Sequence, residues 1–581
     1  MLNKRTIRYA GEPQAVKAVR GCPQGGVLSP LLWNLVVNNL ITKLNEERFY
    51  TIGYADDLTI LISSKFASTV CDLTQSALRI VERWCREFDL SVNPTKTEMV
   101  MFTNKRSLGN FTKPKLFQAE LNLTEEVKYL GLTLDSKLSW NNHINKRIDK
   151  AAVVFWQCRR MIGKRWGLNP KITLWLYKTI VRPMLCYGAL VWWPRTNLGN
   201  VRDKLQRLQR LACAATTGCT KSTPTAAMEV MLGLPPLYLH IQQEASLSAV
   251  RLNTLNIWSN TGVLHTKCLE KVYDEFPILR SGTDRIQKHV IFDKRYKIQL
   301  YEDDNYEGLN PKELRIFTDG SKTDNGSGSG TFSEDLNMSI TTPLGAHNSV
   351  FQAECMGIIN AAAAITARKV VGSSIRILSD SRAVLMALRS HLITSKLIHE
   401  CHKRLMEVSH KNEIILQWIK GHSGSRGNDA ADELARQGSS AGAIGPEPIL
   451  PIPFSKVRSM LLSYTGKLHT AHWLNQTGCR CYGQSPVPRV TEETAAHVVL
   501  ECSGVAPYRA KYLGSPRDLP EVLLNIKGLN ILAGVCSPMR RCESARLSGG
   551  ASLLAYAAVR VCTPERRCQS ARLCGGASLH A

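Results

Sequence analysis

Apolar positions between residues 314 and 437 fall into short runs broken by turn residues. Leu314 to Thr318 is one such run, and it predicts a strand with an acid, Asp319, at its tip. Gly326-Ser-Gly-Ser-Gly330 reads as a hairpin signal, and Met338 to Thr341 as the next strand. Gln352 to Thr366 is Ala-rich with no Gly or Pro after Gly357, which predicts a helix carrying Glu354 in its first turn. Ile375 to Ser379 predicts a strand ending at Asp380. Leu385 to Ser390 and Leu397 to Val408 read as helices, Ile414 to Ile419 as a strand, and Asn428 to Gln437 as a last helix with Asp432 near its start. Strands followed by alternating α and β elements predict an α/β fold, a mixed sheet flanked by helices.

Near the start, Thr51-Ile-Gly and Leu58 to Ile62 flank Tyr54-Ala-Asp56-Asp57. This predicts a strand pair with two aspartates at its turn, a place from which carboxylates reach metal ions. In Gly21-Cys-Pro-Gln-Gly-Gly-Val-Leu-Ser-Pro30 the residues Pro23, Gly25 and Gly26 let the backbone come close to a nucleotide or template.

The order of acids changes the picture from fold to chemistry. Asp319, Glu354, Asp380 and Asp432 sit beside strands or on helices, where a rigid scaffold aims them at one point. Clustered carboxylates repel, and divalent cations with hard oxygen preferences, Mg²⁺ or Mn²⁺, relieve the repulsion. Metals held this way suit attack of water on a phosphodiester. The segment points to a metal-dependent nuclease.

The pieces Thr318-Asp-Gly-Ser321, Ala353-Glu354, Ser379-Asp-Ser381 and Gly421-His422-Ser-Gly-Ser-Arg-Gly-Asn428-Asp-Ala-Ala-Asp432-Glu-Leu-Ala435 resemble ribonuclease H of type 1. The resemblance implies that Asp319, Glu354, Asp380 and Asp432 are the metal ligands and that His422 shuttles protons or helps product leave. Asp429 and Glu433 compete with Asp432, which the family pattern prefers because it precedes Glu-Leu-Ala. Leu31-Leu-Trp-Asn34, Asn93-Pro-Thr-Lys96, Val127-Lys-Tyr-Leu-Gly131 and Gly233-Leu-Pro-Pro-Leu237, with the Tyr54 to Asp57 turn, resemble reverse transcriptases of jockey-type non-LTR retrotransposons. This implies a partial palm, and RNA, DNA and their hybrid as partners. The family's first catalytic Asp lies upstream of the Gly-x-Pro-Gln-Gly motif, and here no Asp precedes Asp56. The chain is therefore expected to be an N-terminally truncated polyprotein. Asp56 and Asp57 are then a polymerase remnant and RNA-directed polymerisation is lost. A non-catalytic nucleic-acid-binding remnant is the alternative to an active ribonuclease H.

The formal charge of +26 agrees with a nucleic-acid partner and is uneven. Residues 312–440 hold 15 basic and 13 acidic side chains, whereas residues 1–311 hold 43 and 27, so phosphate neutralisation is expected from the earlier part. Lys146 to Lys150, Arg159-Arg160 and Lys164-Arg165-Trp166, interleaved with Phe155 and Trp156, suit either a thumb-like helix on a duplex or an amphipathic helix with a solvated charged face. The expected domains are 1–110 partial palm, 111–195 end of palm and thumb-like helices, 196–311 helical connection, 312–440 ribonuclease H, 441–534 linker with a Cys/His segment, and 535–581 a basic tail. Residues 1–20 carry charges and no apolar core, and no run of about 18 uncharged apolar residues occurs. Neither signal peptide nor membrane span is expected. Eighteen cysteines without a disulfide framework fit a reducing nuclear and cytoplasmic setting.

Residues 441–453 are rich in Gly and Pro and read as a linker. Beyond them Cys479, Cys481, His497 and Cys502 offer three thiols and an imidazole to Zn²⁺, and the segment around His497 resembles the Cys/His segment that follows ribonuclease H in these elements. The single residue between the first two cysteines strains that bite, and free thiols beside a packed histidine fit equally. A 26-residue period from Val535 and Val561 carries seven Arg and two Glu, which reads as a basic disordered tail.

Overall fold

A computed structural model describes residues 6–8, 15–17, 25–160, 169–219, 223–258, 267–300, 313–421, 425–443, 445–476, 509–511 and 514. The chain divides into two compact units, Met1–Arg147 and Ile148–Ala581.

In the first unit, helices α1 (Ser29–Glu46) and α2 (Ala67–Glu87) bury Leu40, Leu44, Ala77, Val81, Trp84 and Cys85 together. The buried positions of α2 recur at helical spacing, which is why this stretch winds as an amphipathic helix. Strands β1 (Tyr50–Tyr54) and β2 (Asp57–Leu61) form an antiparallel hairpin with Tyr54 opposite Asp57. Leu58 and Ile60 face the helices, while Tyr50, Tyr54 and Leu61 stay exposed. A second hairpin, β3 (Glu126–Tyr129) and β4 (Leu132–Asp135), leads into helix α3 (Asn141–Arg160).

The second unit begins with helices. Among them α4 (Gly199–Thr217) and α5 (Leu237–Thr254) enclose a buried polar chain, in which Tyr177 Oη donates to Gln209 Oε1 at 2.8 Å and Gln209 Nε2 donates to Glu229 Oε1 at 2.6 Å. Burial pushes Glu229 up to about 7.

The segment expected to form the nuclease follows as a six-stranded mixed sheet. Its strands are β6 (Lys297–Gln299), β7 (Leu314–Lys322), β8 (Ser327–Ser333), β9 (Met338–Gly345), β10 (Ser374–Ser379) and β12 (Glu413–Trp418), in the order β6-β12-β10-β7-β8-β9. The first four strands of that order are parallel and the last three antiparallel, with β7 common to both halves. A separate two-stranded ribbon pairs β5 (Arg285–Val290) with β11 (Leu392–Ser395).

Helices α6 (Val350–Ala367), α7 (Arg382–Arg389) and α8 (Lys396–Ser409) share one core with Ile316, Ile375, Ile377, Ile414 and Leu416. Helix α6 is long and apolar enough to cross a membrane by composition, but it lies mostly buried in this core. Its start is fixed by a capping box between Ser349 and Gln352. Helix α9 (Arg426–Ser440) packs near β8. A final helix, α10 (Phe454–Leu474), meets α5 through Tyr238 and His472.

Two sequence expectations change here. The Gly326 to Gly330 stretch is not the hairpin turn; it is largely strand β8, with Ser327, Ser329 and Thr331 fully buried. Their hydroxyls bond on one face, Thr331 Oγ1 donating to Gly357 O at 3.1 Å. On the other face a Cβ at Gly330 would lie 2.0 Å from Ala431 O of α9, so glycine serves close approach rather than a turn. Residues 445–453 are pinned to the nuclease part rather than left as a tether. Glu447 accepts from Ala346 N at 3.0 Å, Pro451 O accepts from Gln352 Nε2 at 2.8 Å, and Ile452 bridges to Thr283.

Candidate active site

Parallel neighbours end on the same edge of a sheet. Thr318 of β7 lies opposite Ser379 of β10, so Asp319 and Asp380, each one residue further on, come together. Glu354 arrives from α6, which lies against β7; because the helix starts at Val350, two residues before the expected Gln352, Glu354 falls in the second turn rather than the first. A Cβ at Gly320 would sit 2.4 Å from Glu354 N, so only glycine at this position lets strand and helix close up. One oxygen each from Asp319, Glu354 and Asp380 lies within 4.8 Å of the other two.

Asp432 stands in the second turn of α9 beside Asp319, near enough for its carboxyl group to help raise the Asp319 pKa. Arg436 Nη2, one turn on, donates to Asp432 Oδ2 at 2.6 Å. Trp418 Nε1 donates to the Asp380 carbonyl at 2.9 Å and fixes the backbone at the strand end. The sequence motif contains Asn428 without giving it a role. It is buried one turn before Asp432, and its Oδ1 has no partner among the described residues. Its i, i+4 spacing from Asp432 was the available signal.

The electrostatics follow from crowding. Burial, then the neighbouring Asp380 and Asp432 charges, push Asp319 up to about 7. Burial, then Asp319 and Asp380, push Glu354 up to about 10. The Gly320 backbone amide lies close to both carboxyl groups and offsets part of each shift. Glu354 Oε2 is buried without a hydrogen-bond partner among the described residues. A buried acceptor of this kind is costly unless something positive meets it.

Of the five residues expected for the nuclease site, Asp319, Glu354 and Asp380 are thus placed together, with Asp432 beside Asp319. His422 lies outside the described residues, as do Cys479, Cys481, His497, Cys502 and the repeats after Val535. Asp56 and Asp57 are exposed at the β1–β2 turn, where Ala55 adopts a left-handed φ of 54° and its carbonyl accepts from Trp33 Nε1 at 2.9 Å. Among the described residues no third acid joins them. In α3, Phe155 is a core residue packed on Tyr177 rather than part of a nucleic-acid face. Lys146 pairs with Glu126 and Arg147 Nη2 donates to Gly131 O at 2.9 Å, so both hold the β3–β4 hairpin. Lys164 to Trp166 lie outside the described residues.

Known proteins divide the chain in the same order. Residues 1–134 match the family described as reverse transcriptase (RNA-dependent DNA polymerase), and residues 311–440 match RNase H. The retrovirus-related Pol polyprotein from type-1 retrotransposable element R1 of Bradysia coprophila is 28% identical over 249 residues, covering 42% of this chain and 25% of that protein. The R1 Pol polyprotein of Nasonia vitripennis is 28% identical over 221 residues, covering 37% and 65%. The RNA-directed DNA polymerase from mobile element jockey of Drosophila melanogaster is 27% identical over 266 residues, covering 43% and 28%. The chain spans between a quarter and just under two thirds of the length of these relatives. Its homologues are Pol polyproteins and RNA-directed DNA polymerases of R1 and jockey elements, and a reverse transcriptase segment is followed by an RNase H domain.

Proposed function

We propose that the domain around Asp319 is a Mg²⁺- or Mn²⁺-dependent endonuclease that cuts the RNA strand of RNA–DNA hybrids. The observation that carries this reading is the meeting of Asp319, Glu354 and Asp380 oxygens within 4.8 Å, joined by Asp432. The donor set fits a hard divalent cation, being all carboxylate, with Asp319 and Glu354 buried and raised in pKa by that burial and then by their charged neighbours. Such a cation, when bound, supplies Lewis acidity and lowers the pKa of an attacking water.

The chain's own residues do the rest. Asp319 is the shared member, next to Glu354 and Asp380 and beside Asp432. With a cation bound, Glu354 would be held as the carboxylate, and its Oε2, which has no partner among the described residues, would be free to serve as a ligand atom. Trp418 and Gly320 hold Asp380 and Glu354 in place before substrate arrives. His422, in a Gly/Ser-rich stretch, delivers a proton to the leaving 3′ oxygen. Preference for a hybrid comes from reading 2′-hydroxyls on one strand.

The purified chain with Mg²⁺ or Mn²⁺ should cleave the RNA of a hybrid and leave duplex DNA intact. Cleavage of both duplexes at similar rates, or of neither, contradicts the reading.

A further inference from the structure

Upstream strand β5 lies outside residues 311–440, yet it is built onto the RNase H domain. It pairs antiparallel with β11, with His289 opposite Ile393, and the chain enters α8 directly from β11. Asp284, one residue before β5, fixes that junction. Its Oδ1 accepts from Leu397 N at 2.9 Å, its Oδ2 accepts from Ser395 Oγ at 2.7 Å, and its carbonyl accepts from Lys396 N at 2.8 Å. Strand and helix are thereby held side by side, and each brings one imidazole to the seam between them. The rings of His289 and His399 lie with centroids 4.5 Å apart and planes inclined at 44°.

The other histidines on this side of the domain are engaged. His391 Nδ1 meets Ile291 O at 3.1 Å, His402 Nδ1 meets Tyr296 Oη at 2.8 Å, and His410 Nδ1 meets Arg295 Nη1 at 2.8 Å. His289 and His399 form no hydrogen bond among the described residues. Their inclination is neither the offset-stacked nor the edge-to-face arrangement that rings prefer, so ring packing alone gives the pair little. Burial, then Lys403 and His289, hold His399 below the usual imidazole range. Its ring is therefore neutral near pH 7, the form that ligates metals. The χ2 angle of a histidine turns easily, so one nitrogen of each ring can be aimed at a common point. His289 is exposed and His399 half-buried, which leaves that point open to an ion and its waters.

We propose that His289 and His399 form a second metal site, which takes a divalent transition-metal ion such as Ni²⁺ or Zn²⁺ and clips upstream strand β5 to α8. Imidazole nitrogen suits these ions, whereas carboxylates such as Asp319 and Glu354 suit Mg²⁺ or Mn²⁺. Each ring supplies one nitrogen at about 2.0–2.1 Å, and water fills the remaining positions. The two ligands come from elements on either side of residue 311, so the ion stabilises the docked strand by binding only the folded arrangement. The site is independent of whether the acid cluster cuts RNA.

The test is calorimetric titration of the full chain with Ni²⁺ in excess Mg²⁺, together with thermal melts. Ni²⁺ is the probe because imidazole suits it while thiolates favour Zn²⁺. Wild type should bind one Ni²⁺ more than His289→Gln or His399→Gln, and Ni²⁺ should raise its Tm by more than it raises that of either variant. Because His289 is exposed, its glutamine variant should keep the wild-type Tm without Ni²⁺, which separates a lost ligand from a damaged fold. Equal Ni²⁺ stoichiometry and equal Tm gain in wild type and His289→Gln overturn the proposal. So does loss of the extra Ni²⁺ in Asp319→Asn but not in His289→Gln, which would put the ion among the acids.

Discussion

Burial beside Asp319 and Asp380 keeps a proton on Glu354 at neutral pH. In the unfolded chain a Glu titrates near ~4.3 and an Asp near ~3.9. As pH rises from about 4 to 7, the unfolded chain releases protons that folded Asp319 and Glu354 retain, so the metal-free fold loses stability across that window. For Glu354 the loss continues toward its own raised pKa of about 10. Glu354→Gln removes this load. In chelator at about pH 8 it should melt a few degrees above wild type, while Mg²⁺ should raise the wild-type Tm and not the variant's. A variant that melts lower, or that still gains from Mg²⁺, contradicts the shared-ligand assignment. His422→Ala should slow turnover ~10²–10⁴-fold, the usual contribution of general acid–base help, with metal affinity unchanged by calorimetry.

At the scale of elements, β8 shows how closely this site is packed. It runs between α6 and α9, with buried hydroxyls on one face and glycines on the other. Gly330→Val would drive a side chain into the α9 backbone at Ala431 and move Asp432 off the cluster. It should lower both Tm and Mn²⁺ affinity, as read by thermal melts and titration calorimetry; unchanged metal affinity would detach α9 from the site. The acids and most elements around them were legible in the sequence, because each acid follows a strand or opens a helix whose period is clear. The role of β8 was not, since Gly/Ser alternation signals a turn until the helix packed on it is known. Strand β6 was missed for another reason. Three residues, Lys297 to Gln299, carry no periodic signal, and their place is set by a distant partner. Gln299 Oε1 accepts from Arg376 Nη1 at 2.9 Å, and Arg376 pairs with Glu313, both side chains being buried. Glu313→Ala would leave that guanidinium buried and unpaired at a cost of about 3–5 kcal/mol. A fragment starting at residue 305 loses β5 and β6, and it should melt below one covering residues 283–476. Equal Tm values would show that the upstream strands are accessory.

Across the whole molecule, the basic charge and the acid cluster occupy different stretches. The RNase H stretch 312–440 is nearly neutral and residues 1–311 carry most of the excess cation. Hybrid affinity of the full chain should therefore fall steeply with salt, while the nuclease stretch alone binds more weakly with a shallower slope. In the first unit, Asp56 and Asp57 share one exposed turn with no third acid among the described residues. Two carboxylates from one turn give a poor clamp for in-line transfer, so primer extension by this 581-residue chain should be undetectable. Whether the four-acid cluster cuts RNA is decided by single-turnover cleavage of a hybrid in Mg²⁺, run with wild type and with Asp319→Asn. Wild type should cut the RNA strand, and the variant should lose most of that rate while still binding the hybrid. Full cleavage by Asp319→Asn would contradict a catalytic role for the cluster.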